Sequence, residues 1–187
     1  MEVPFSLLSA LEGVKEKDKP PIHLWHPEAV NDLDIVIKAN GEWFYLGTPI
    51  KRQRLVHLFA SVLRLEADGE YYLVTPVEKC RIKVEEVPFI MILMDVKGEG
   101  QEQVLTLTSN MAETVEVKKS NPITFLFEED SLAPSPMIHV REGLMGKLNR
   151  NVYYQLADLM VDGEIDGNIW VGVWSNGDFI PIQEATT

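Results

Sequence analysis

The sequence predicts an α+β protein of two related strand-helix-hairpin halves, mainly antiparallel sheet. Three observations carry this. Apolar residues alternate in short runs between Asn, Asp, Gly and Pro turns, the period of half-buried strands. Two longer stretches carry an apolar stripe at helical spacing. The arrangement also recurs along the chain. A shift of 96 residues sets Lys51 on Lys147, Arg54 on Arg150, Val56 on Val152 and Leu63 on Leu159. The reading divides the chain into an N-terminal helix and linker (1–19), a first half (20–87) and a second half (88–187).

Residues 5–17 are expected to form a short amphipathic helix, with Leu7, Leu8, Leu11 and Val14 on one face. Lys17-Asp18-Lys19-Pro20-Pro21 stops it. Ile35 and Ile37, then Trp43 and Tyr45, flank Asn40-Gly41 as a hairpin. Thr48-Pro49 reads as a helix start, with Thr as cap and Pro in the first turn. The stripe Leu55, Leu58, Phe59, Val62 and Leu63 carries that helix to about Glu66. After an Asp68-Gly69 turn, residues 71–75 and 80–84 read as paired strands.

The second half opens with strands over 89–96, 104–108, 114–118 and 123–127. An acidic, proline-containing loop (128–136) and a strand over 137–140 follow. A helix is expected from about Met145 to Val161, with Leu148, Val152, Leu156 and Leu159 on one face. The chain then ends in a hairpin of 169–174 and 179–182 across Ser175-Asn176-Gly177-Asp178.

Seventeen basic against 29 acidic residues give a net charge of −12. So negative a surface repels a phosphate backbone and argues against a general nucleic-acid binder. The charge is uneven. Residues 1–87 carry 11 basic and 14 acidic groups, residues 88–187 carry 6 and 15. The first half can therefore hold a local basic patch suited to a small anion. One cysteine, Cys80, rules out an intramolecular disulfide and a thiolate zinc site. The start Met1-Glu2-Val3-Pro4 lacks a basic signal region, and the longest apolar run, 87–94, has strand length. The expectation is a cytoplasmic chain without a membrane span.

The sharpest candidate site is Lys51, Arg52 and Arg54 at the first turn of the first long helix. Cations there oppose the helix dipole and suit an anionic ligand. Lys147 and Arg150 repeat the pattern, with Arg141 upstream. Lys79 and Arg81 alternate with apolar neighbours on one strand and join the candidate ligand-binding set. The bland alternative pairs all these cations with abundant carboxylates.

His23 and His26 lack enough partners for a metal site. Asp162-Gly163-Glu164-Ile165-Asp166-Gly167 matches the start of a calcium loop, but Val173 stands where a bidentate Glu is needed. It reads as a helix exit and turn. Cys80 in a strand reads as inert packing rather than as half of a nucleophilic dyad. Trp43, Trp170 and Trp174 read as core, with base stacking as their minority role. No nucleophile elbow, phosphate loop or HExxH stands in the sequence, and no cofactor is implied.

Several ordered stretches carry a resemblance. They are Pro21-Ile22-His23-Leu24-Trp25-His26-Pro27-Glu28, Gly41-Glu42-Trp43-Phe44-Tyr45-Leu46-Gly47-Thr48-Pro49-Ile50, Tyr72-Leu73-Val74-Thr75-Pro76-Val77-Glu78-Lys79, His139-Val140-Arg141-Glu142-Gly143-Leu144, Leu148-Asn149-Arg150 and Gly172-Val173-Trp174-Ser175. Over residues 20–182 the chain resembles the bacterial domain-of-unknown-function 1285 family, which has no established activity. The resemblance implies a duplicated core and a second half loosely like a pleckstrin-homology fold. It further implies a nucleotide-like ligand between the halves and a role in signal transduction.

Three function classes stay open. The leading one is a regulatory module that binds a small anionic ligand. The others are a small hydrolase of phosphorylated substrates, with Asp34 or His26 as base, and a protein-interaction module with no small ligand. Oligomeric state is not legible.

Overall fold

The computed structural model of the chain describes residues 20–126 and 135–185. The helix expected over 5–17 and most of the acidic loop lie outside those residues. The chain divides into two compact units, Met1–Pro88 and Phe89–Thr187.

In the first unit, a single 3-10 turn (Ile22–Leu24) precedes β1 (Ala29–Ile37), β2 (Trp43–Tyr45) and β3 (Thr48–Pro49). Helix α1 (Gln53–Ser61), β4 (Leu63–Leu65), β5 (Tyr71–Val74) and β6 (Glu78–Val84) follow. Six strands form one sheet in the order β3-β2-β1-β6-β5-β4. All neighbours are antiparallel except β1 and β6, which run parallel at the centre. Ile35, Ile37, Leu63, Leu73 and Ile82 are buried in it. Val56, Phe59 and Ala60 form the buried stripe of α1, and Phe59 stacks on Trp43 with ring centroids 6.3 Å apart.

The second unit repeats that topology. Strands β7 (Phe89–Lys97), β8 (Val104–Ser109), β9 (Thr114–Glu116), β10 (Thr124–Leu126), β11 (Ser135–Arg141) and β12 (Leu144–Leu148) form a sheet in the order β10-β11-β12-β7-β8-β9. Its first and last strands, β7 and β12, again pair in parallel at the centre. Then come helix α2 (Arg150–Asp158) and a three-stranded antiparallel sheet of β13 (Val161–Ile165), β14 (Asn168–Ser175) and β15 (Asp178–Glu184).

The duplication is therefore real, but its register differs from the expected one. The repeated body is the six-stranded sheet. Helix α1 sits inside the first sheet's connection between β3 and β4, whereas α2 follows the completed second sheet. Lys51 and Lys147 are not equivalent positions. Among the described residues two nine-residue helices stand beside fifteen strands, so the protein is mostly mixed sheet.

Two further expectations are corrected, for one physical reason. Leu46 and Gly47 both have positive φ (48° and 72°), as do Glu142 and Gly143 (47° and 80°). Each pair makes the two-residue turn that matches strand twist. The chain therefore folds back at once. Thr48–Pro49 pairs with β2 instead of opening a helix, and Leu144–Leu148 pairs with β11 instead of entering one. Neither Leu nor Glu is an expected left-handed residue, so the turns were hidden. The first helix also stops at Ser61 rather than near Glu66: Leu63 lies opposite Leu73 in a ladder. The calcium-like stretch is itself a hairpin, turning on Asp166 and Gly167 (φ 53° and 83°).

Two polar contacts organise the units. In the first, Arg64 donates to the backbone oxygens of Ile22 (2.8 Å) and Trp25 (2.9 Å), fixing the N-terminal turn. The same guanidinium pairs with Glu66, which also receives Lys79 at 3.4 Å. Burial opposes ionisation of Glu66, yet the hydrogen bond and charge of Arg64, with Lys79, hold its carboxyl below the ordinary 4.5. In the second unit, the buried Ser175 hydroxyl donates to Val117 O (2.6 Å) and accepts from Leu105 N (3.1 Å). Gln103 Nε2 adds a bond to Trp174 O (2.8 Å). These contacts tie β14 to β8 and to the segment after β9.

Ser175→Ala leaves the buried Leu105 N–H without its acceptor. A loss of about 1–3 kcal/mol is expected in urea unfolding, and an unchanged midpoint would contradict the bridge. Because the folded pKa of Glu66 is depressed, its stabilisation is complete above the unfolded value and fades as pH falls through the folded one. Glu66→Gln is expected to flatten the fall in stability between about pH 5 and pH 3, measured by unfolding at stepped pH.

Candidate functional site

The cations singled out in the sequence occupy helix starts and strands of both units. Lys51 and Arg52 precede α1, and Arg54 is its second residue; all three are exposed. No side chain caps this helix start and no acidic residue lies in its first turn. Helix α2 differs, because Asn149 Oδ1 accepts from Val152 N at 2.8 Å. Its orphan donors are thus partly satisfied within the chain. Arg150 is the first residue of α2, whereas Lys147 lies on β12 opposite Met137 and Ile90.

The remaining three are engaged in ion pairs. Lys79 pairs with Glu66 and stands 4.6 Å from the Tyr72 ring centroid. Arg81 Nε bonds Asp32 at 2.8 Å. Arg141 Nε bonds Glu113 at 3.0 Å, with both side chains largely buried, and lies 5.7 Å from the Phe89 ring. Arg81 reaches a polar cleft of about 690 Å³ in the first unit that Asp32, Asp34 and Glu70 also line. It opens where β1 bulges, between Asp32 and Val36, away from strict pairing with β6.

A second cleft, of about 730 Å³, lies within the second unit. The end of the duplicated sheet supplies Lys119, Ile123 and Phe125; the appended sheet supplies Glu164, Trp174, Asp178 and Phe179. Its size and largely apolar lining with a few charged groups are those of a small-molecule pocket. Trp174 and Phe179 lie with centroids 5.5 Å apart and planes at 59°. Phe125 is braced edge-on by Tyr153 of α2 at 6.3 Å. Three aromatic rings thus line one cavity, beside one cation and two carboxylates.

Sequence reasoning weighed Trp174 for stacking but passed over Phe179, Phe125 and Lys119. A signal was present. Gly163 and Gly172 interrupt strands, and glycine inside a strand marks a close approach.

Cys80 is buried on β6. Burial, and then the neighbouring Glu78, push its thiol up to about 11. Among the described residues no group of three His, Cys, Asp or Glu side chains is placed to hold a metal ion. No helix there is long and apolar enough to cross a membrane.

Fold and cleft together define a class: tandem six-stranded sheets, the second extended by a helix and a small sheet that borders a ligand-sized cleft. The chain belongs to the DUF1285 family. Residues 20–87 match "Domain of unknown function (DUF1285), N-terminal domain" and residues 88–182 match "Protein of unknown function (DUF1285), C-terminal domain". A crystal structure of a DUF1285 family protein from Silicibacter pomeroyi is similar at 39% identity and TM-score 0.83, covering 96% of this chain and 95% of that one. Another, from Shewanella baltica, is similar at 31% identity and TM-score 0.51, covering 67% of this chain and 91% of that one. No curated protein matches the chain.

A thiol this basic is a poor nucleophile at neutral pH. Iodoacetamide at pH 7.5 is expected to leave Cys80 largely unlabelled in the native protein and to label it fully in urea. Rapid native labelling would restore it as a reactive residue.

Proposed function

We propose that the protein is a cytoplasmic regulatory module that binds one small, planar ligand in the cleft of its second unit. The observation that carries this is the convergence of Phe125, Trp174 and Phe179 on a cavity of about 730 Å³. Aromatic faces accept any flat ring, at roughly 1–3 kcal/mol per stacked base.

The charged lining narrows the ligand further. Lys119 can meet one anionic group, whereas Glu164 and Asp178 repel a second and accept hydrogen bonds from hydroxyl or amino groups. The second unit's excess of acid, 15 groups against 6 basic, works the same way. A nucleoside or nucleoside monophosphate therefore fits this lining better than a triphosphate. The pleckstrin-homology likeness belongs to the same reading: a sheet scaffold whose ligand occupies a peripheral cleft.

A second reading has its own support. The uncapped start of α1, beside exposed Lys51, Arg52 and Arg54, suits a phosphate-sized anion in the first unit.

The test is thermal unfolding of the full chain with adenosine, adenosine monophosphate, adenosine triphosphate and inorganic phosphate. A ligand at a hundred times its dissociation constant adds about 2.7 kcal/mol. Adenosine or its monophosphate is expected to raise the midpoint more than the triphosphate does. A rise with phosphate that Arg52→Ala abolishes would favour the second reading. No rise with any ring compound overturns the first, and consumption of the bound compound would make the protein an enzyme.

A further inference from the structure

We infer that Gly163 sets which ring the second unit's cleft accepts, by seating Phe179 as the floor of that cleft. The inference rests on the cleft reading above and adds a specificity position to it. Gly163 lies in the middle of β13 and Gly172 within β14. Neither has positive φ, so no turn geometry calls for glycine at either place. Space does. A Cβ on Gly163 would stand 2.5 Å from Phe179 Cζ, with Cε1 and Cε2 at 2.7 and 2.8 Å. A Cβ on Gly172 would stand 2.6 Å from the same Cζ. The ring of Phe179, which starts on β15, therefore reaches back over β14 and lies on the bare backbone of β13.

The two glycines differ in what else they touch. The three nearest atoms to a Cβ at 163 all belong to the Phe179 ring. At 172 the nearest is the backbone oxygen of Ile180, at 2.4 Å, so substitution there also breaks the pairing of β14 with β15. Gly163 also lines the cleft, so a Cβ there meets the Phe179 ring first and adds its own bulk beside it. Any side chain there lifts the ring from its seat, either toward Trp174 at 5.5 Å or into the cavity that both rings line. Both movements narrow the gap available to a flat ligand.

The experiment uses full-length protein labelled with 5-fluorotryptophan. Four lines are expected from the four tryptophans, and the Trp174 line is assigned by its loss in Trp174→Phe. Gly163→Ala, folded by circular dichroism, is expected to move the Trp174 line in ligand-free protein. Its affinity for whichever of adenosine or its monophosphate binds the wild type is expected to fall about tenfold, the loss of one ring contact. An unmoved Trp174 line overturns the seat. A moved line with unchanged affinity overturns the specificity role and leaves the cleft reading standing. Wild-type protein that binds neither probe removes the cleft reading and this inference with it. Should Gly163→Ala fail to fold, Phe179→Ala, which adds no atom to the sheet, replaces it: a tenfold loss of affinity supports the floor, and unchanged affinity overturns it.

Discussion

Each six-stranded sheet depends on a parallel pairing between its own first and last strands. β1 meets β6 in one unit and β7 meets β12 in the other. Every other neighbour in these sheets is antiparallel, and several of these pairs close through tight turns that sequence can specify locally. The parallel pair is the only neighbour relation within either sheet that joins its two meanders. It alone makes six strands one body. Ile35 and Ile37 in the first unit, Met91 and Leu148 in the second, are buried on these central strands.

The same constraint fixes what the ends of the sheet can do. With β9 and β10 at the two edges of the second sheet, one edge lies beside the cleft, where Phe125 on β10 is a lining residue. The three-stranded sheet contributes the rest of the lining and is tied down through Ser175, whose hydroxyl completes the hydrogen bonding of Leu105 and Val117. Ser175 thus joins Gln103 in holding the appended sheet to the duplicated one, and the cavity is lined from both. Val152 and Leu156 of α2, with Val173 and Ile180, share the hydrophobic core of Leu105, Leu107 and Ile138. The appended part is therefore integral to the second unit's interior.

Much of the strand content was legible in the sequence because alternation with turn residues is a local signal. The strands over 89–97 and 104–109, and the hairpin at Asn176-Gly177, were readable for that reason. Helix boundaries were not. At Leu46-Gly47 and Glu142-Gly143 the left-handed turns use residues that rarely signal them. The apolar spacing Leu148, Val152, Leu156 then runs unbroken from a strand into a helix, since a step of four fits both periods. The expected equivalence of the two helix starts rested on the same reading. The repeat of Lys51 and Arg54 in Lys147 and Arg150 was read as two equivalent helix starts, but Lys147 belongs to a strand, and the true repeat aligns sheets. Side-chain pairing could not be read at all: that Arg141 meets Glu113 and Arg81 meets Asp32 depends on strand order.

Where the cleft lies bears on which half carries function. A duplicated scaffold offers two copies of any site built from the repeated strands alone. The cavity with three aromatic rings is instead built partly from β13, β14 and β15, which have no counterpart among the described residues of the first unit. Folds support function through what is grafted onto them, and here the graft is identifiable as α2 with the small sheet. The charge distribution agrees. The first unit keeps most of the basic residues but commits Arg64, Lys79 and Arg81 to its own carboxylates, whereas the second unit's cleft offers a single lysine amid acid. In the reading proposed above, a ligand there would be selected by the faces of its rings before its charge, with Phe179, lying on the bare backbone at Gly163, as the face that decides.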